Sequence, residues 1–335
     1  MIDPFVDIEW VRGHLDEVVL ADSRWYADGR SGRDAYAAGH ISGAVFVDLD
    51  TALISHEDPA RGGRHPLAEP ADFAAAMAAL GIGDDDTVIA YDDAGGVIAA
   101  RLVWMLRVTG HEAALLDGGL GAWPGPLATA PDRVRTNDRI AAISANAPGG
   151  DGAFAKCVRR NDRIAEISAN APGGPADAPT GVRSSPRIPG ESANATGGGA
   201  RFTARAWPAD RLASIDEVAA VASGGGVVLD ARPAERFAGA PDDLDPRPGH
   251  IPGSRSVPCR ENVDADGRLL PLADLCARFA VDDATEVISS CGSGVTACHN
   301  LLAMEQAGLG RGRLFPGSWS QWSRDPARPV QTGAD

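Results

Sequence analysis

A chain of 335 residues, 44% hydrophobic and 23% charged, is long enough for two ordinary globular domains, each with its own core. Its 46 acidic residues outweigh 31 basic ones, and the formal charge of −15 argues against binding to nucleic-acid phosphates or to an anionic membrane surface. The chain has no run of about 18 apolar residues and no apolar signal core near Met1, so no membrane span is expected and a reducing cytoplasm is the expected location.

In chain order, the first β-rich run is Val18–Ala21, closed by Asp22-Ser23-Arg24 and followed by Gly39-His40-Ile41-Ser42-Gly43. A helical pattern over 71–80 leads to a strand at Thr87–Tyr91, a second helical pattern over 99–109, and an apolar run at Ala113–Leu116 that ends near Trp123. The same order then returns. A helical pattern over 215–223 precedes Val227–Leu229 with Asp230-Ala231-Arg232, and Gly249-His250-Ile251-Pro252-Gly253 follows. Val287–Ser290, a helical pattern over 295–307, Arg313–Gly317 and the pair Trp319 and Trp322 complete it. Duplication of one domain is the simplest account. Alternating strands and helices predict an α/β fold in which each domain is a parallel sheet flanked by helices on both faces, with sites at the C-terminal strand edge.

The stretch between the halves is different. Asn137–Gly150 recurs 24 residues later as Asn161–Gly174, with Glu166 in place of Ala142, in a context rich in Pro, Gly, Ala and Asn. Two units are too few for a solenoid, so the expected division is a domain over 1–128, a flexible linker over 129–200 and a second domain over 201–335. Lys156 and Cys157 fall in that linker and are given no catalytic role.

The five cysteines, Cys157, Cys259, Cys276, Cys291 and Cys298, are odd in number and widely spaced, and none forms a Cys-x-x-Cys pair. This pattern argues against a disulfide framework and against a thiolate metal site. Cys291 stands apart because it closes the strand Val287–Ser290 and opens the loop Gly292-Ser293-Gly294-Val295-Thr296 ahead of a helical pattern. Loop N–H groups and a helix N-terminus aimed at the sulfur favour a thiolate, so Cys291 is the candidate nucleophile. The competing reading is a small packed apolar residue. Two glycines within three residues favour the reactive reading by leaving little bulk over the sulfur. Aligning Val88-Ile89 with Val287-Ile288 sets Asp92 opposite Cys291, and the first half contains no cysteine, so it is expected to support rather than react.

On these residues the chain resembles the tandem-domain rhodanese family, most closely its 3-mercaptopyruvate sulfurtransferases, over about 4–128 and 201–325. Cys291-Gly292-Ser293-Gly294-Val295-Thr296-Ala297 carries the resemblance, and the two Gly-His-Ile-x-Gly segments support it. The resemblance implies two rhodanese-like domains, no cofactor, and transfer of sulfur from 3-mercaptopyruvate through a Cys291 persulfide to a thiol, thioredoxin or cyanide, with release of pyruvate. It also implies that Gly292–Thr296 cradle the persulfide, that Arg236 and Arg247 bind the donor carboxylate, and that Ser293 is linked to His65 and Asp50, with Asp48 exchangeable for Asp50. His40 and His250 occur in both halves and are expected to be structural, as is Arg232, whose counterpart is Arg24. Three other functions compete: a thiosulfate:cyanide sulfurtransferase, a phosphatase, and a non-enzymatic sulfur-relay module. The neutral Gly292-Ser293 pair weighs against the first. Ala297, where a Cys-x5-Arg loop needs arginine, weighs against the second.

Overall fold

The computed structural model describes residues 1–56, 58–129, 200–241, 243–282 and 285–334. Nearly all of the expected linker, with Lys156 and Cys157, lies outside the described residues. Strands are numbered in chain order: β1 (Phe5–Val6), β2 (Val18–Asp22), β3 (His40–Ile41), β4 (Val45–Phe46), β5 (Thr87–Tyr91), β6 (Ala113–Leu116) and β7 (Leu127–Ala128) in the first half. The second half holds β8 (Val227–Asp230), β9 (Ser254–Ser256), β10 (Val287–Ser290) and β11 (Arg313–Leu314).

The first half is a five-stranded parallel sheet in the order β1-β6-β5-β2-β4, and the second is a four-stranded parallel sheet in the order β11-β10-β8-β9. β3 and β7 form a separate antiparallel pair. β2 runs in register with β5 from Val18↔Thr87 to Asp22↔Tyr91, and β8 with β10 from Val227↔Val287 to Asp230↔Ser290. Each central strand pair therefore ends level, and Asp92 and Cys291 occupy the equivalent next position.

Alternate strand residues explain why both faces need cover. Val88 and Ala90 point into one core, whereas Ile89 and Tyr91 point into another. In the second half Leu229 and Val287 join the first of these cores, while Val228 and Ile288 pack with Phe315, Trp319 and Trp322. One core is thus common to both halves, with helices Ala100–Val108 and Ala297–Gln306 packed in it. Each fully buried Leu, Val or Met there is worth about 1.5–3 kcal/mol relative to exposure.

Helices occupy Pro70–Ala79, Ala100–Val108, Ile215–Gly224 and Ala297–Gln306, close to the four predicted patterns. Ile215–Gly224 starts at a capping box between Ser214 and Glu217. The last of these four begins at Ala297 rather than at Val295, because Gly294 takes a left-handed φ of +81° and keeps Gly292–Thr296 as loop. Among the described residues no helix is long and apolar enough to cross a membrane.

The duplicated motifs form duplicated scaffolds. Arg24 grips Asp22 and donates to the Gly39 carbonyl, and Arg232 grips Asp230 and donates to the Gly249 carbonyl. His40 and His250 are buried, with Nδ1 2.8 Å from the carbonyls of Tyr36 and Phe237, and each stacks on the ring of that residue. Both pairs tie the end of a strand to the loop after it, which explains their occurrence in the half without a cysteine.

Candidate active site

The loop after β10 folds around its own sulfur. Cys291 follows the last strand residue, and its backbone N–H donates to Ser318 Oγ at 3.0 Å. Its carbonyl accepts from Trp319 N, and the Gly292 carbonyl accepts from Ser320 N. Gly294 then turns the chain, and its N–H donates to Cys291 Sγ at 3.1 Å. A Cβ at Gly294 would run into the Pro316 carbonyl, and its positive φ strains any other residue, so this turn requires glycine. Ser318, itself at φ +49°, holds the facing segment by donating to the Phe315 carbonyl.

Cys298 and Cys259 are also buried nearby, but burial pushes both thiols up to about 12. Cys298 spends its proton on the Gly294 carbonyl at 3.4 Å, where it packs beneath the loop. Cys291 is 2% exposed. The expectation of open space over the sulfur is therefore corrected: a methyl group built on Gly292 would lie 3.1 Å from an Arg64 nitrogen and 3.6 Å from an Arg236 nitrogen. Two guanidiniums fill the space that the glycine leaves.

The first half reaches this loop with three consecutive contacts. Gly63 and Arg64 meet the helix Ser318–Trp322, where Arg64 N donates to Ser320 Oγ at 2.9 Å. His65 Nδ1 and Ser293 Oγ share a hydrogen bond of 2.8 Å, so the expected serine–histidine pair is formed across the two halves. Arg101, fully buried in Ala100–Val108, donates to the Gly294 carbonyl at 2.9 Å and to the His65 carbonyl at 3.1 Å. One side chain thus fixes the Cys291 loop against the segment that carries His65. The sequence concealed it, because an arginine in an apolar helical run reads as a solvated face.

Burial, reinforced by the charges of Arg64 and Arg101, pushes His65 down to about 4, and burial does the same to His299. Both imidazoles are neutral at pH 7, so His65 can accept the Ser293 proton. The unfolded chain takes up protons near 6.5 at these positions, and the folded chain does so only near 4. Stability is therefore expected to fall as pH drops between these values, and NMR titration of His65 checks it. A midpoint near 6.5 would mean a ring in water.

Two expectations need correction. Asp50 does not reach His65: its carboxylate accepts from Trp25 Nε1 at 3.1 Å, and the Trp25 ring lies edge-on to His65 at 5.3 Å. Asp48 is not the substitute, since it caps the π-helical turn Leu49–Leu53 by accepting from Asp50 N. That turn directs Asp50 to the indole, so any influence of Asp50 on His65 passes through Trp25. Arg247 is occupied elsewhere. Its guanidinium donates to the carbonyls of Trp322, Ser323, Asp325 and Arg328, which pins the C-terminal segment. Arg236 does stand at the loop, where it pairs with Asp245 at 3.2 Å.

The equivalent loop of the first half holds a carboxylate in place of a thiol. Asp92 is fully buried and accepts from the N–H groups of Ala94, Gly96, Ile98 and Ala99 at 2.7–2.9 Å. Burial pushes its carboxyl up while these four donors pull against the shift. Beside it lies a cleft of about 530 Å³ lined by Asp93, Gly95, Gly118, Arg260, Asp264 and Asp266 among others. Cys291 does not line this cleft.

A family model for the rhodanese-like domain matches residues 7–125 and 214–325. The 3-mercaptopyruvate sulfurtransferase of Escherichia coli is 31% identical over 338 residues, spanning 98% of this chain and 97% of that protein. A thiosulfate/3-mercaptopyruvate sulfurtransferase of Arabidopsis thaliana is 29% identical over 340 residues, spanning 98% of this chain and 78% of that protein. Among solved structures, the 3-mercaptopyruvate sulfurtransferase from Leishmania major superposes with a TM-score of 0.63 at 26% identity, covering 96% of this chain and 74% of that one. The matched segments contain every strand of the two parallel sheets except β1, and the chain belongs to the rhodanese-like family.

Proposed function

We propose that this chain is a sulfurtransferase that takes sulfur from 3-mercaptopyruvate onto Cys291 and passes it to a thiol, thioredoxin or cyanide. The observation that carries the reading is Cys291 Sγ held by the Gly294 N–H at a strand end, with a neutral Ser293–His65 pair beside it and Arg236 over the neighbouring glycine. Sulfurtransferase relatives spanning nearly the whole chain support it.

In the first half-reaction the Cys291 sulfur attacks the donor thiol sulfur. An S–S bond forms, the C–S bond breaks, and its electron pair goes to carbon as the enolate of pyruvate. The Ser293–His65 pair relays the donor's thiol proton to that carbon. Cys291 keeps a persulfide, which the Gly292–Thr296 loop stabilises through preorganised N–H groups. An acceptor thiolate then attacks the outer sulfur and restores Cys291. A reducing cytoplasm suits this cycle, and the four described cysteines are free thiols.

Thiosulfate is the second reading, favoured by one observation. Arg64 brings from the other half a positive charge next to Gly292, where the loop itself is neutral. Turnover with each donor decides between them: kcat/KM is expected to be higher for 3-mercaptopyruvate, and a preference for thiosulfate would overturn the choice. In the same assay Arg236→Ala should raise KM for 3-mercaptopyruvate about tenfold or more through loss of a charge-assisted pair. Arg247→Ala should instead lower the melting temperature. An unchanged KM in Arg236→Ala would favour a relay module without a donor pocket.

A further inference from the structure

The Asp245 side chain is 2% exposed, and its carboxylate is shared by three guanidiniums from three separate segments. Arg64, from the first half, is 2.5 Å away. Arg236, from the helix Ala234–Ala238, is 3.2 Å away. Arg324, just past the helix Ser318–Trp322, is 3.8 Å away. Arg64 also donates to the Leu244 carbonyl at 3.0 Å, which draws it further toward this acid. Three guanidiniums converge on one carboxylate, and the geometry is that of a carboxylate-binding site whose occupant belongs to the chain itself. Its position gives it a consequence for catalysis. Arg64 and Arg236 are the two groups that close over Gly292, next to the 2%-exposed Cys291. A donor reaches the sulfur only if those side chains rearrange, and both are held by the same aspartate.

We propose that Asp245 is an internal stand-in for the donor's anionic group: its carboxylate occupies a site built by Arg64, Arg236 and Arg324, and an incoming anion displaces it and uncovers Cys291. Rotation of one side chain accomplishes the exchange, and no covalent step is involved. Arg64 becomes a donor-binding residue contributed by the half without a nucleophile, which gives that half a part in recognition as well as in support. A site occupied by its own aspartate binds every donor more weakly by the fraction of time it is free. It also leaves no uncompensated arginine cluster when no donor is present.

This inference rests on the sulfur-transfer reading for the identity of the anion, but its test does not need turnover. The rates at which iodoacetate and iodoacetamide alkylate Cys291 are measured by peptide mass spectrometry. The two reagents deliver the same electrophile, one with a carboxylate and one without, so their rate ratio reads the anion site. Asp245→Asn keeps the shape and removes the competing charge. It should raise the iodoacetate-to-iodoacetamide ratio about tenfold, the gain expected if aspartate fills the site roughly nine-tenths of the time. An unchanged or lowered ratio would mean that Asp245 merely braces the arginines, and would overturn the proposal. If Asp245→Asn fails to fold by circular dichroism, Arg64→Gln carries the test: the ratio should fall several-fold below wild type, and an unchanged ratio overturns the proposal. A changed ratio in a protein that forms no persulfide would leave the anion site standing and remove the sulfurtransferase reading instead.

Discussion

Cys291→Ser is expected to abolish sulfur transfer, lowering kcat by about 10⁴-fold or more while leaving the fold intact. Serine keeps an acceptor for the Gly294 N–H and adds no volume, so the loop loses nothing that holds it together. Oxygen in place of sulfur gives a far weaker nucleophile and cannot carry a transferable sulfur as a persulfide. The adjacent thiols do not substitute, because burial pushes Cys259 and Cys298 up to about 12 and neither ionises at neutral pH. Steady-state assays of Cys291→Ser beside Cys259→Ser and Cys298→Ser check this. Loss confined to the first variant is the expected result. Loss of comparable size in Cys298→Ser, with the fold preserved, would mean that the chemistry uses two sulfurs.

Asp92→Ala is expected to be the most damaging change to stability in the first half. The aspartate accepts four N–H bonds inside a fully buried turn. Alanine removes every acceptor at once and leaves those donors without partners. Each orphaned buried donor costs about 1–3 kcal/mol, so even with partial entry of water the total is about 4 kcal/mol or more, beyond the range of most single substitutions. Asp92→Asn keeps one acceptor oxygen but turns an NH₂ group toward the remaining donors, so it should fall between. Urea denaturation measures both. A loss under about 1 kcal/mol for Asp92→Ala would show that the turn is held by its glycines and core contacts instead.

The two loops show what a duplicated sequence reveals. Strand ends, the Gly-His-Ile-x-Gly segments and the Asp-x-Arg clamps repeat in both halves, so their structural work could be inferred from repetition alone, and Cys291 stood out as the point where repetition fails. His65 came into view only through the resemblance, because the serine it bonds lies 228 positions away. The arginines were the hardest to read. All but one of the 31 basic residues are arginine, and nothing local distinguishes Arg236, which faces the loop, from Arg247, whose donors are spent on four carbonyls. Which cation meets which anion depends on the packing of distant segments. Asp245 illustrates this: nothing in its local sequence marks it, whereas in the fold it joins three segments beside the Cys291 loop. Asp50 marks another limit, since an aspartate at the expected position is turned by a π-helical turn toward Trp25.

The most direct test of the account is the intact mass of the protein after incubation with 3-mercaptopyruvate, followed by peptide mapping. Gain of one sulfur atom on the peptide containing Cys291, removed by cyanide and absent from Cys291→Ser, is the predicted result. An unchanged mass, or the added sulfur on any other cysteine, would contradict it.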